Sequence, residues 1–151
     1  LVLTLASIDS ARATKRTQPS AKPPGMKKHE IAIDGAPGPA GPYSQGIRFG
    51  DLLFVAGQRP ADPKTGAIPD GIAAQTRQAL DNVRAILDAG GSSTDGVLKV
   101  NVYLTDLGDF AAMNEVYKEY FREPYPVRTT VGVALRGILV EIDAIAYREK
   151  S

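Results

Sequence analysis

The sequence predicts an α+β domain in which a mixed β-sheet carries two helices packed on one face. Three observations lead there. Segments with period-two alternation of apolar residues alternate with two helical stripes in the order β-β-β-α-β-α-β-β. Gly- and Pro-bearing turns punctuate the chain between them. Two helices are enough to cover one sheet face, which makes a two-layer domain and leaves the other face in need of a partner.

Taken in order, Glu30-Ile31-Ala32-Ile33 reads as the first strand. Residues 35–42 follow with three glycines and three prolines in eight positions, a loop in which glycine permits unusual backbone angles and proline stiffens the path. Residues 46–49 and 52–56 are two short strands around the hairpin signal Gly50-Asp51, and residues 62–66 form another turn. The strongest helix is expected over residues 72–89. There Ile72, Thr76, Leu80, Val83 and Leu87 share a stripe, and Arg77, Asp81, Arg84 and Asp88 lie mostly opposite. Gly90-Gly91 supplies a left-handed stop.

Residues 98–104 read as a strand with Leu98, Val100, Val102 and Leu104 facing the core, and Lys99, Asn101 and Tyr103 facing away. A second helix is expected over residues 110–121, with Asp109 as N-cap and Phe110, Met113, Tyr117 and Tyr120 as an apolar core stripe. Pro124 and Pro126 then break the chain into a final strand pair. Alternation puts Arg128, Thr130 and Gly132 on one face of the first strand, opposite Thr129, Val131 and Val133. In the second strand Glu141 and Asp143 lie opposite Val140, Ile142, Ala144 and Ala146.

Composition narrows the chemistry. At 151 residues, 43% apolar and 23% charged, the chain is an ordinary globular one, and a net charge of +1 makes no electrostatic case for nucleic acid or an acidic membrane. With no cysteine there is neither disulfide nor thiolate chemistry, and one histidine, His29, supports no His-rich metal cluster and no Ser-His-Asp triad. Catalysis must therefore rest on Arg, Glu, Asp, Tyr, hydroxyls or backbone. No stretch approaches the ~20 apolar residues that span a membrane.

Residues 1–25 differ from the rest, with four basic side chains, one acidic and no aromatic. They read as a flexible extension to a single domain over residues 26–151. Its origin stays open among an incomplete signal peptide, an organellar transit segment and sequence upstream of a natural start at Met26, the last being preferred. A cytoplasmic location is expected on that preference.

The lone charges in the last two strands admit two explanations. Arg128 and Glu141 are a cross-strand ion pair, worth ~0.2–1 kcal/mol on a sheet surface, or they line a cleft that binds an anion and moves a proton. Four motifs bear on the choice: Gly41-Pro42-Tyr43-Ser44-Gln45-Gly46, Phe54-Val55-Ala56-Gly57-Gln58, Pro126-Val127-Arg128, and Val140-Glu141-Ile142-Asp143-Ala144-Ile145-Ala146. Their order and intervals, over roughly residues 27–148, resemble the reactive-intermediate deaminase (Rid, or YjgF-type) family.

That resemblance implies a chorismate mutase-like fold and a homotrimer in which sheets line a central barrel and sites lie between subunits. It implies no cofactor, no metal, and hydrolysis of carboxylate-bearing enamines and imines, such as 2-aminoacrylate, 2-iminobutanoate and 2-iminopropanoate, to 2-keto acids and ammonia. Arg128 matches the family's substrate-binding arginine and Glu141 the carboxylate credited with activating water. Tyr43, Ala56, Gly57 and Thr130 fall where residues shape the pocket, Asn114 is expected either to shape the cleft or to serve as a capping or surface residue, and Asp143 is expected to be solvated or at an interface.

Several positions depart from the family pattern. Thr130 stands where cysteine is frequent, and Ala56 where serine is. Arg59 replaces a usually apolar residue, and the turn Ala134-Leu135-Arg136-Gly137 is short. The competing functions are a non-catalytic trimer that binds small carboxylates or a partner, and a ribonuclease or translation inhibitor, which one histidine and near-neutral charge disfavour.

Overall fold

The computed structural model describes residues 27–148, so the expectations for residues 1–25 lie outside the described residues. Six strands form one mixed sheet: β1 (Lys28–Ile31), β2 (Gly46–Phe49), β3 (Leu52–Gln58), β4 (Val97–Leu104), β5 (Val127–Gly132) and β6 (Val140–Tyr147). Two helices, α1 (Ile72–Gly90) and α2 (Phe110–Tyr120), complete the predicted order. The strand order across the sheet is β1-β2-β3-β6-β4-β5. Only β4 and β5 run parallel, because α2 carries the chain back between them.

Both helices pack on the same face. Leu80, Val83, Ile86 and Leu87 of α1 and Met113 and Tyr117 of α2 are buried with Leu53, Val55, Val100, Val102, Leu104, Val140 and Ile142 of the sheet. Each fully buried aliphatic side chain contributes about 1.5–3 kcal/mol. The last turn of α1 closes at Gly91, whose left-handed backbone (φ 82°) lets its N–H return to the Asp88 carbonyl. On the outside, the Arg77 guanidinium of α1 donates to both Glu119 oxygens of α2 at 2.6 and 2.7 Å.

Two bulges change which side chains face the core. Between β3 and β6 the pairing passes from Val55↔Ala144 to Gln58↔Ile142, so β3 carries one extra residue. Val55 and Gln58 are both buried, and Ala56-Gly57 form the bulge between them. The second bulge, at Val97/Lys99 in β4, overturns one expectation: Val97 (6% exposed) takes the core position expected of Leu98 (46% exposed).

Other expectations need correcting too. The first strand begins and ends two residues early, because Ile33 N–H bonds the Gln45 side chain instead of a strand. Asp109 makes no side-chain cap to α2; Asp106 caps the short 3-10 turn ahead of it through Gly108 N–H (2.7 Å). Phe110 is exposed and Tyr120 only half-buried, so the aromatic stripe of α2 is core mainly at Met113 and Tyr117.

Buried amides hold the loops. Gln45 Oε1 accepts Ile33 N–H at 2.7 Å, and its Nε2 lies 2.9–3.0 Å from the carbonyls of Ile33, Ala36 and Pro37. The Gly- and Pro-rich loop thus folds around one glutamine. Gln45→Leu strands those groups without partners and is expected to destabilise the protein by roughly 1–3 kcal/mol. A lower urea midpoint with an unchanged m-value would report it; an unchanged midpoint would mean the loop does not depend on this side chain.

Candidate active site

Sheet register decides where the candidate charges point. Val100 of β4, fully buried, lies between Arg128 of β5 and Ala144 of β6. Tyr103 lies between Val131 and Glu141. Neighbours in register share a face, so Arg128 is on the helix-covered face and Glu141 on the open one. β4 also separates their strands. The cross-strand ion pair is therefore excluded, and within one chain the two residues do not share the cleft considered from the sequence. Each instead belongs to its own cavity.

The Glu141 cavity, of about 360 Å³, is lined by Tyr43, Gln45, Ala56, Gly57, Arg59 and Glu141. The bulge brings Gly57 against the carboxylate: a Cβ at position 57 would overlap Glu141 Oε1, so the carboxylate occupies space that any other residue would fill. Tyr43 stands at the end of the loop with half its surface exposed, its hydroxyl accepting Ala40 N–H at 2.9 Å. Among the described residues no ion pair engages Glu141. Asp143, on the same face, is occupied by Asn101 Nδ2 (2.8 Å) and the Tyr103 hydroxyl (2.9 Å). Donating to that carboxylate raises the Tyr103 pKa above its ordinary value, with burial adding to the effect. Asp143 is thus tied into the sheet, and Glu141 is the carboxylate left available.

The Arg128 cavity, of about 720 Å³, lies at the β5 edge and is lined by Phe110, Asn114, Tyr117, Lys118, Tyr125 and Arg128. The guanidinium carbon sits 4.6 Å from the centroid of the Tyr117 ring and 5.4 Å from that of Phe110. Two aromatic faces orient a cation without neutralising it, and among the described residues no carboxylate pairs with Arg128. Burial pushes the Tyr117 phenol up to about 12, with the Arg128 charge pulling the other way, so the ring stays neutral beside the arginine. Lys118 is paired with Glu115 at 2.7 Å. The full charge of Arg128 remains for an anion.

Of the residues expected from the sequence, Tyr43, Ala56, Gly57 and Glu141 meet in one cavity, and Arg128 and Asn114 in the other. Thr130 lines neither; it follows Arg128 on the same strand face, its buried Oγ1 without a hydrogen-bond partner. Sequence reasoning missed the aromatic platform, reading Phe110 and Tyr117 as plain core. It also missed Gln75 and Asn82, which hold loops beside the Glu141 cavity. Their signal was available: both are amides on the apolar stripe that Ala79 and Ile86 share.

The family profile described as Endoribonuclease L-PSP matches residues 33–148, and the chain belongs to that family. It is 55% identical over 125 residues to a RutC family protein of Pyrococcus horikoshii, covering 81% of this chain and 99% of that protein. Against a 2-iminobutanoate/2-iminopropanoate deaminase of Escherichia coli K12 it is 43% identical over 123 residues, covering 78% of this chain and 96% of that one. The crystal structure of E. coli TdcF with bound serine superposes with a TM-score of 0.76 at 44% identity, covering 80% of this chain and 99% of that one.

Gly57→Ala tests the contact with Glu141. Displacing that carboxylate by about 1 Å is expected to lower turnover up to about a hundredfold, measured as kcat on whichever imine the protein processes. Unchanged kcat would show that Glu141 needs no glycine beside it.

Proposed function

We propose that the protein hydrolyses 2-imino acids and their enamine tautomers, among them 2-aminoacrylate, 2-iminobutanoate and 2-iminopropanoate, to 2-keto acids and ammonia. Residues 26–151 form the deaminase domain in this reading. The observation that carries it is the pair of unneutralised charges, Arg128 and Glu141, each facing a cavity built to present it. The names of the relatives support it, and the serine bound to TdcF is a small amino-acid carboxylate of the right class.

The chemistry divides between the two groups. Arg128 grips the substrate carboxylate through two parallel N–H···O bonds, which its planar fork permits. Glu141 orients a water and accepts its proton as the oxygen bonds to the imine carbon and the C=N electron pair moves to nitrogen. The protonated Glu141 returns a proton to that nitrogen, and the hydroxyl proton of the tetrahedral adduct then passes through Glu141 to the amine, so that the C–N bond breaks, ammonia leaves and the hydroxyl oxygen becomes the keto oxygen. One water is consumed, and no metal, redox step or cofactor enters.

Since the two residues lie on opposite faces of one sheet, this reaction needs Arg128 of one copy beside Glu141 of another. A sheet edge meeting a different surface of its neighbour is a heterologous contact, which closes into a ring where the rotation between copies permits. We assign that ring as the homotrimer implied by the family. The open sheet face, with Phe54, Leu52, Val127, Val131 and Tyr147 exposed, would be covered in it. An RNA-cleaving role finds less support, since His29 lines a separate cavity with Glu30 and Arg48.

The test is hydrolysis of 2-iminobutanoate generated in situ by threonine dehydratase. The intact protein should accelerate 2-ketobutanoate formation over the buffer rate. Arg128→Lys should lose roughly ten- to a hundredfold in kcat/KM, the equivalent of a charge-assisted contact of ~1.5–3 kcal/mol. Glu141→Gln should lower kcat more than apparent affinity. Full activity in both variants would mean that neither residue carries the reaction and that the site is wrong.

A further inference from the structure

We propose that the site takes imines bearing a second carboxylate, the imino forms of short dicarboxylic amino acids, and that Arg59 and Arg136 hold the distal carboxylate. This deepens the reading of Glu141 and Arg128 given above and rests on it. A second cavity of about 360 Å³, lined by Ile68, Leu135, Arg136 and Ile138, shares both Arg59 and Glu141 with the cavity described. The two spaces adjoin at those residues. A substrate with its reacting carbon at Glu141 therefore has room to extend past Arg59 towards Arg136.

Charge makes the case for a dianion. Between them the two cavities are lined by two arginines, Arg59 and Arg136, and by Glu141. A substrate with a single carboxylate engages Arg128 and leaves Arg59 and Arg136 unmatched. Among the described residues no ion pair engages either of them. Position 59 is also where the family resemblance leads one to expect an apolar side chain, and the turn holding Arg136 is shorter than usual. The first departure adds a cation beside Arg136, and Ile68 and Leu135 offer apolar wall for the methylenes between two carboxylates.

Both arginines stand on anchored backbone. Asn82, only 1% exposed, donates from Nδ2 to the carbonyls of Arg59 (3.0 Å) and Ala61 (2.9 Å). Asp62 then folds the next turn, its Oδ1 accepting the N–H groups of Lys64 (2.9 Å) and Thr65 (2.8 Å). On the other side, Gln75 Oε1 accepts Leu139 N–H at 2.7 Å and the Thr105 hydroxyl donates to the Ile138 carbonyl at 2.8 Å. Fixing the backbone on both sides reduces the ordering cost when an anion binds. Arginine suits the task because its fork meets a carboxylate with two donors.

The reaction itself is unchanged: the imine of aspartate and one water give a dicarboxylic 2-keto acid and ammonia. The experiment compares kcat/KM for 2-iminobutanoate, from threonine dehydratase, with that for 2-iminosuccinate, made in situ from aspartate and dioxygen by a flavin-dependent aspartate oxidase. The intact chain should hydrolyse both, and Arg59→Ile should lower the ratio of kcat/KM for 2-iminosuccinate over 2-iminobutanoate by roughly tenfold or more, with Arg59→Lys intermediate. Because the ratio is taken within one preparation, partial misfolding cancels. Should Arg59→Ile not fold, the intact chain answers alone: succinate should inhibit 2-iminobutanoate hydrolysis at least tenfold more tightly than butyrate. An unchanged ratio, equal inhibition, or activity confined to 2-iminobutanoate overturns this proposal and leaves the parent reading standing. Inactivity on both imines overturns the parent reading itself.

Discussion

Pairing of β4 with β5 on one side and β6 on the other determines where each charge of the site can act. Val100 is the lateral neighbour of Arg128, and Tyr103 that of Glu141. A strand alternates its side chains, and a slip of one residue would exchange the faces. Val100, Val102 and Leu104 on one face, all fully buried under the helices, set the energetic cost of such a slip. Core packing thus keeps Arg128 on the covered side, against Tyr117 and Phe110, and Glu141 on the open side, against Gly57. The proposed shared site follows from that separation.

The second layer of organisation is polar and buried. Gln45 gathers the loop that ends in Tyr43, Asn82 holds the backbone at Arg59 and Ala61, and Gln75 joins Pro69 to Leu139. All three side chains are nearly inaccessible to solvent, and each spends its amide on backbone groups that no strand or helix satisfies. The loops around the Glu141 cavity are therefore set by the core and not by their own composition. This explains how a segment as rich in glycine and proline as residues 35–42 can form one wall of a defined cavity.

Much of the fold was legible because its signals are periodic. The α1 stripe from Leu80 to Leu87, the Gly91 stop and the alternation in β6 all reappear in the structure. The failures are equally physical. Leu98 was assigned to the core because alternation assumes an unbroken strand, and a bulge shifts that parity by one residue. Asp109 has the right chemistry for a cap, but Asp106 reaches a free N–H first. The faces of Arg128 and Glu141 were each readable within their own strand. Their mutual placement depended on strand order, which puts β4 between β5 and β6 and which local pattern does not encode. The aromatic platform escaped for a similar reason, since Phe110 and Tyr117 look like core until the arginine beside them is known.

The central claim is that Arg128 of one copy works with Glu141 of its neighbour, and subunit mixing tests it most directly. Arg128→Ala and Glu141→Gln, each nearly inactive alone, would be unfolded together in equal amounts and refolded as mixed assemblies. In a ring, about a quarter of the interfaces then bring together two unmodified partners, and the account predicts recovery of about that share of the wild-type 2-iminobutanoate activity. Mixtures no more active than either parent, although shown to contain both chains in one assembly, would contradict it.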